Sequence, residues 1–139
     1  MPDISIQVNI MAVAVASLAA FALGAIWYSV LFGKQWVKAH GFTEAQVAEM
    51  QKAAGPGYLV SLVGYVVMGL VFSALITYTG FTEVTEGLWL GFLLWGGFAL
   101  TTGITNAIFS GKSMSANWID TGYQLVYILA MAAILTAWR

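Results

Sequence analysis

Four apolar segments, each long enough to cross a bilayer as a helix, constrain this chain more than any other feature. A membrane-spanning helix needs about 20 apolar residues, and a helix satisfies its own backbone hydrogen bonds inside the hydrocarbon. The chain is 60% hydrophobic and 8% charged, so a soluble fold of this length would expose large apolar patches. We therefore predict an all-α integral membrane four-helix bundle that forms one transmembrane domain over residues 1–139. The predicted spans are 8–32, 58–79, 88–109 and 118–138.

The long connection between the first two segments contains a second helical pattern. Thr43 can cap a short helix over 43–54, with Gln46 three residues later as in a capping box. Val47 and Met50 share one face of that helix, which suits a position on the membrane surface. The glycines and proline of 55–57 are expected to end it.

The distribution of lysine and arginine predicts the orientation. The first connection contains Lys34, Lys38 and Lys52, the third contains Lys112, and Arg139 opposes them at the other end. We therefore expect connections 33–57 and 110–117 to be cytoplasmic and both termini to lie outside. Aromatic and lysine side chains at the ends of spans favour the membrane interface. The predicted interface anchors are Trp27, Tyr28, Lys34, Trp36, Lys38 and Trp118.

Several stretches together resemble one family. They are "GAIWYSVLFGKQWVKAHGFT", "LLWGGFALTTGITNAIF" and "SGKSMSANWIDTGYQLVYILAMAAILTAWR", and they cover nearly the whole chain. The combination of W-Y-S, F-G-K-x-W, N-x-x-F and W-x-I-D-x-G-Y resembles the family catalogued as domain of unknown function 1761. Val30 departs from the proline that often follows W-Y-S in that family. The resemblance implies a small multi-spanning protein of the bacterial inner membrane, and it implies no activity.

Two patterns concern helix packing. "SVLFGK" ends the first segment and "NAIFSGK" ends the third, which fits either a 2+2 parallel repeat of helical hairpins or convergence of interfacial helix ends. Small residues also recur at helical spacing in both segments and allow close helix contact, within one bundle or between copies. The predicted packing positions are Ala12, Ala16, Ala20, Gly24, Gly91 and Gly103.

Asp120 is the leading candidate for a functional residue, because acids within spans are costly and often functional. Tyr123, Gln124 and Tyr127 follow it on one helix face, and Asn106 lies at a similar predicted depth. These five residues are the candidate ligand or proton site. The structural alternative is that Asn117 caps the helix, so that Asp120 complements the helix dipole in the first turn.

Composition argues against several functions. The formal net charge is −1, whereas nucleic-acid binding needs clustered basic residues. There is no cysteine, and the one histidine, His40, lacks the nearby acids of a metal site or a catalytic triad. We expect His40 to be a solvated loop residue, and we predict no catalytic residue, metal or cofactor.

The pattern therefore favours an interaction protein over a carrier or an enzyme. The bilayer is one predicted partner, and the other is a second copy of the chain or another membrane protein, as in an accessory subunit of a membrane complex. The alternative is a small transporter or channel-like protein that uses Asp120 and Asn106. A carrier would show helix breaks or several charges within the membrane, and no proline or central charge occurs in any predicted span.

Overall fold

The computed structural model describes residues 7–139, and this part of the chain contains helices and no strand. Four helical stretches are long and apolar enough to cross a membrane: the first span (Ile10–Leu31), the second (Ala54–Thr79), the third (Val84–Ser110) and the fourth (Met114–Ala137). The prediction of an all-α chain with four spans is confirmed. The elements are α1 (Ile10–Ile26), a π-helical segment (Trp27–Leu31), α2 (Gly33–His40), α3 (Glu44–Lys52), α4 (Ala54–Thr79), α5 (Val84–Leu94), a second π-helical segment (Trp95–Leu100), α6 (Thr101–Ser110) and α7 (Met114–Ala137).

The spans pack in the order second, first, fourth, third. The first span contacts the second and the fourth extensively, and every extensive contact of the third span with another span is with the fourth. The fourth span is therefore the central element of the fold. This order is not the one that a 2+2 parallel repeat predicts, because such a repeat would match the first-to-fourth contact with an equally extensive third-to-second contact. The helix packing does not show that symmetry.

Small side chains set the distances between the spans. Ala12, Ala16 and Ala20 are fully buried, and they form the face of the first span that meets its neighbours. A Cβ at Gly24 would lie 2.7 Å from the Tyr123 hydroxyl, so only glycine fits there without movement. These contacts lie within one chain, as expected when small residues let helix backbones approach.

The third span uses glycines in the same way against the fourth. Gly87 and Gly91 are buried, and a Cβ at either would contact the α7 backbone or side chains. A Cβ at Gly103 would lie 2.9 Å from Thr121 Cγ2. The predicted packing positions Gly91 and Gly103 therefore lie at the contact between the third and fourth spans.

The first connection agrees with its prediction at the start of α3 and differs from it at residues 55–57. The capping box of Thr43 and Gln46 is confirmed, with both hydrogen bonds formed at the start of α3. However, the glycines and proline of 55–57 do not end this helix, because α3 already ends at Lys52 with Ala53 as its C-cap. They belong to the first turn of α4, where Pro56 is tolerated because helix N-terminal N–H groups have no partner in the helix.

A further short helix, α2, was not predicted. It places Trp36, Val37 and His40 on one side and the exposed Lys34 and Lys38 on the other. Gly41 ends it with φ of 72°, a left-handed conformation that favours glycine. The helix packs against α7.

Candidate functional site

Asp120 lies in the interior of α7 and not in its first turn. The helix begins at Met114, and its N-cap is Ser113, whose hydroxyl accepts a hydrogen bond of 3.1 Å from the Ala116 N–H. The expectation that Asn117 is the N-cap is therefore wrong, and with it the interpretation of Asp120 as a capping residue. Asn117 is instead buried at the contact with α6.

Three donors converge on the Asp120 carboxylate. Oδ1 accepts hydrogen bonds from the Tyr28 hydroxyl and from Trp36 Nε1, the latter at 3.1 Å. Oδ2 pairs with the Lys112 ammonium. The Asp120 side chain is 20% exposed and that of Lys112 is 25% exposed. Both oxygens of this partly buried acid are therefore paired, as buried charges require.

Each donor comes from a different segment, and we call the four residues Tyr28, Trp36, Lys112 and Asp120 the Asp120 cluster. The π-helical segment after α1 supplies Tyr28, and α2 supplies Trp36. Lys112 follows Gly111, which ends α6 with φ of 74° and turns the chain back toward α7. The cluster joins one end of the first span, both connections at that end and the fourth span.

Two tryptophans, one from the first span and one from the third, donate hydrogen bonds to backbone carbonyls of α7 on either side of Asp120. Trp27 Nε1 donates to the Ile119 carbonyl at 3.0 Å, and Trp95 Nε1 donates to the Thr121 carbonyl at 2.8 Å. Each tryptophan is the first residue of a π-helical segment. The wider π turn changes the direction of the side chains that follow, and such turns are frequent at functional sites.

The predicted site residues Tyr123 and Tyr127 belong to a second group of polar contacts. The Tyr123 hydroxyl donates to the Ala20 carbonyl at 2.6 Å and lies 2.7 Å from the Tyr65 hydroxyl. The Tyr127 ring packs against Tyr65 and Tyr123, with ring centroids 5.2 and 4.8 Å apart. These tyrosines join the fourth span to the first and second and do not hydrogen-bond to Asp120. The two groups meet where the Tyr28 ring contacts that of Tyr123 edge-on.

The other two predicted site residues form no hydrogen bond with the Asp120 carboxylate, whose donors are the three already described. Asn106 is exposed. Gln124 is partly buried one turn after Asp120, and its Oε1 is buried without a hydrogen-bond partner in the described part of the chain. The five predicted residues are therefore not joined in one hydrogen-bonded cluster.

The predicted interface anchors divide into two groups. Lys34, Lys38 and Trp118 are exposed. Trp27, Tyr28 and Trp36 are only partly exposed, and the preceding contacts show that they donate to the fourth span. The sequence signals only that an acid within a span needs donors. The predicted site takes those partners from the helix face of Asp120 itself and from the third span, and it leaves out Tyr28, Trp36 and Lys112.

His40 is the last residue of α2 and not a solvated loop residue. Its ring stacks on Phe42 with parallel planes and centroids 4.8 Å apart, and it packs against Trp36 at 4.4 Å. Burial by these aromatic rings leaves Nε2 without a partner among residues 7–139. In the same part of the chain, no three His, Asp or Glu side chains are close enough to hold a metal ion.

Comparison with known proteins gives a family and no activity. The family model described as "Protein of unknown function (DUF1761)" matches residues 11–136. No curated protein and no solved structure matches the chain.

Proposed function

Since the chain belongs to the family "Protein of unknown function (DUF1761)", whose model covers nearly all of it, we propose its function from its geometry: it is a small membrane protein that binds a membrane partner. The partner is another membrane protein, to which this chain is an accessory subunit, or a second copy of the chain. The proposed contact surface is the outer face of the third span, defined by Thr101, Thr102, Thr105 and Asn106.

A mismatch between polarity and burial in the third span carries this proposal. The third and fourth spans share the same mean hydropathy, which is lower than that of the first two. The fourth has 39% of its residues buried, but the third has only 11%, the least of the four. A less apolar helix would normally be the better covered one, so the third span is expected to be covered by a partner.

The polar side chains of the outer face support this position for the partner. All four of its polar residues are exposed. The threonines satisfy their hydroxyls on their own helix, with Thr101 Oγ1 2.8 Å from the Gly97 carbonyl and Thr105 Oγ1 3.0 Å from the Thr101 carbonyl. An asparagine side chain has two donors and an acceptor, and such amides commonly join helices across a membrane. Asn106 is therefore the residue of this face that would gain most hydrogen bonds from a partner.

The test is the size and composition of the particle extracted gently from the native membrane. Wild-type protein should leave the membrane with a stoichiometric partner or as an oligomer of the 14.9 kDa chain. The double variant Thr102→Leu/Asn106→Leu should leave the membrane without the partner and without forming the oligomer. Ser61→Leu is the matched control, because Ser61 is an exposed polar residue on the second span. A wild-type particle that contains one chain and nothing else would overturn the proposal.

We propose the bacterial inner membrane as the location, with connections 33–57 and 110–117 cytoplasmic and both termini outside. The support is that all four lysines belong to connections at one end of the spans, whereas Arg139 lies at the other end and donates to the Phe81 carbonyl. Single cysteines at Lys38 and Thr82 test this with a membrane-impermeant thiol reagent. Labelling of Lys38→Cys in intact cells would show that the orientation is opposite to the one proposed.

We further propose that the chain is not an enzyme. The support is that three side-chain donors bind the carboxylate of Asp120, the best-placed acid, which gives it a structural role. We also propose that the chain does not bind nucleic acid, because its net charge is −1 and phosphate binding needs clustered basic residues.

A carrier of protons or small molecules is the second candidate, and Gln124 favours it. A buried amide oxygen without a partner is unusual in a folded protein, and this one lies one turn from Asp120. If the amide serves no ligand, Gln124→Leu should be neutral or stabilising, because it removes an unsatisfied polar group. A small molecule that raises the melting temperature of the wild type but not of Gln124→Leu would favour the carrier.

A further inference from the structure

We propose that the partner on the outer face of the third span is a second copy of this chain, in a parallel dimer whose two-fold axis runs along the membrane normal. This inference rests on the proposed function and names its partner. Copies of one chain inserted with the same topology are related by such an axis. The axis brings the same residue of both copies to the same depth in the membrane.

Asn106 is suited to this symmetry. Its amide is both donor and acceptor, so two Asn106 side chains at one depth can satisfy each other reciprocally. An unrelated partner would need its own polar group at that depth, whereas the second copy supplies one by symmetry. Buried asparagine pairs of this kind fix register and oligomeric state in other helical assemblies.

The outer face can contact a copy of itself without repulsion between like charges. Its four residues carry no charge, and the rings that flank it, Phe98 and Phe109, are 68% and 87% exposed. The lysine nearest to it in the chain, Lys112, is paired with Asp120. No like charges would therefore oppose each other across the axis, and the two phenyl rings supply apolar contact.

The second span offers the other large exposed surface, and its chemistry suits lipid. Its exposed side chains include Leu59, Val60, Val63 and Val67, and the span is the most apolar of the four. A bilayer already solvates such a face, so burying it against protein brings little gain. This comparison selects the third span as the dimer contact.

Cysteine cross-linking in native membranes tests the dimer, because the chain contains no cysteine of its own. Single variants Thr102→Cys, Thr105→Cys and Asn106→Cys should form covalent dimers on mild oxidation of isolated membranes. Val63→Cys, which is on the second span and also exposed, should not. In a separate measurement on detergent-solubilised protein, Asn106→Leu should weaken dimerisation about threefold to tenfold, since interhelical hydrogen bonds contribute modestly in membranes.

The outcomes separate this inference from the proposed function. Cross-links confined to the third span establish the dimer. Equal cross-linking at Val63→Cys, or none at any position, overturns it. In that case a different protein that co-purifies with the wild type, and not with Thr102→Leu/Asn106→Leu, preserves the proposed function with a different partner. A wild-type particle of one chain alone overturns both.

Discussion

At the scale of single residues, Asp120 shows how a carboxylate is accommodated inside a span-length helix. Its charge is offset by Lys112, and its other oxygen takes two neutral donors. Hydrogen bonds to a charged group are stronger than those between neutral groups. The cluster therefore fixes one end of the fold and gives a stability contribution that can be measured.

We expect Asp120→Leu to lower the free energy of unfolding by about 1.5–3 kcal/mol, because three donors lose their acceptor. Asp120→Asn should cost less, since an amide oxygen can still accept from Tyr28 and Trp36. Thermal unfolding in a mild detergent measures both effects. Glu49→Gln is the control, because the Glu49–Lys52 pair is exposed and exposed pairs contribute little. Equal melting temperatures for Asp120→Leu and the control would contradict the structural role.

The importance of Asp120 could be read from the sequence, but its partners could not. An acid within an apolar segment is visible without any structure, because its cost does not depend on which groups surround it. The donors come from residues 28, 36 and 112, and their meeting depends on a π-helical segment and on an extra helix, α2. Neither has a periodic signal that distinguishes it from an ordinary helix end.

At the scale of elements, the contact between the third and fourth spans depends on the absence of a side chain. A Cβ at Gly103 would lie 2.9 Å from Thr121 Cγ2 and 3.2 Å from Asn117 Oδ1. Thr121 and Asn117 are each 2% exposed, so neither can move aside into solvent or lipid. A side chain at position 103 would therefore either separate the two helices or displace Thr121 and Asn117 of α7.

We expect Gly103→Ala to destabilise the protein by about 1–3 kcal/mol, the usual cost of overpacking. Gly64→Ala should be neutral or stabilising by up to about 1 kcal/mol, because alanine favours the helix and no atom lies within 4 Å of a Cβ there. The two melting temperatures should move in opposite directions or by clearly different amounts. A drop of the same size in both variants would show that the contact with Thr121 is not the cause.

The span limits illustrate what apolar length can predict. All four spans were predicted, since length and hydropathy alone identify them. The second, third and fourth spans begin four residues earlier than the apolar runs do, at Ala54, Val84 and Met114. Their first turns contain polar residues or glycine and proline, which lower hydropathy without preventing helix formation.

At the scale of the whole molecule, the order of the spans makes the two halves of the chain interdependent. The first span packs on the fourth, and this contact is as extensive as any in the fold although the two helices are far apart in sequence. The sequence could not predict this order, because the small-residue pattern identifies a packing face without naming its neighbour.

We expect residues 1–80 and 81–139, produced together as separate chains, to associate in the membrane and purify as a complex. The break falls in the short connection after Gly80, which ends α4, and leaves the contact between the first and fourth spans intact. Ala16→Leu should abolish the association, since Ala16 is fully buried. Ala22→Leu should not, since Ala22 is exposed. Halves that insert but never co-purify would contradict the packing order.

The central position of the fourth span also has a consequence for biogenesis. A ribosome makes this span after the other three, and the third span has no extensive intrachain contact until it arrives. Until then Tyr28 and Trp36 lack their acceptor, and the glycines of α5 and α6 face no helix. We therefore expect the nascent chain to remain a loosely associated set of helices until the fourth span inserts. A chain that stalls before this point should be a preferred substrate for membrane quality-control proteases.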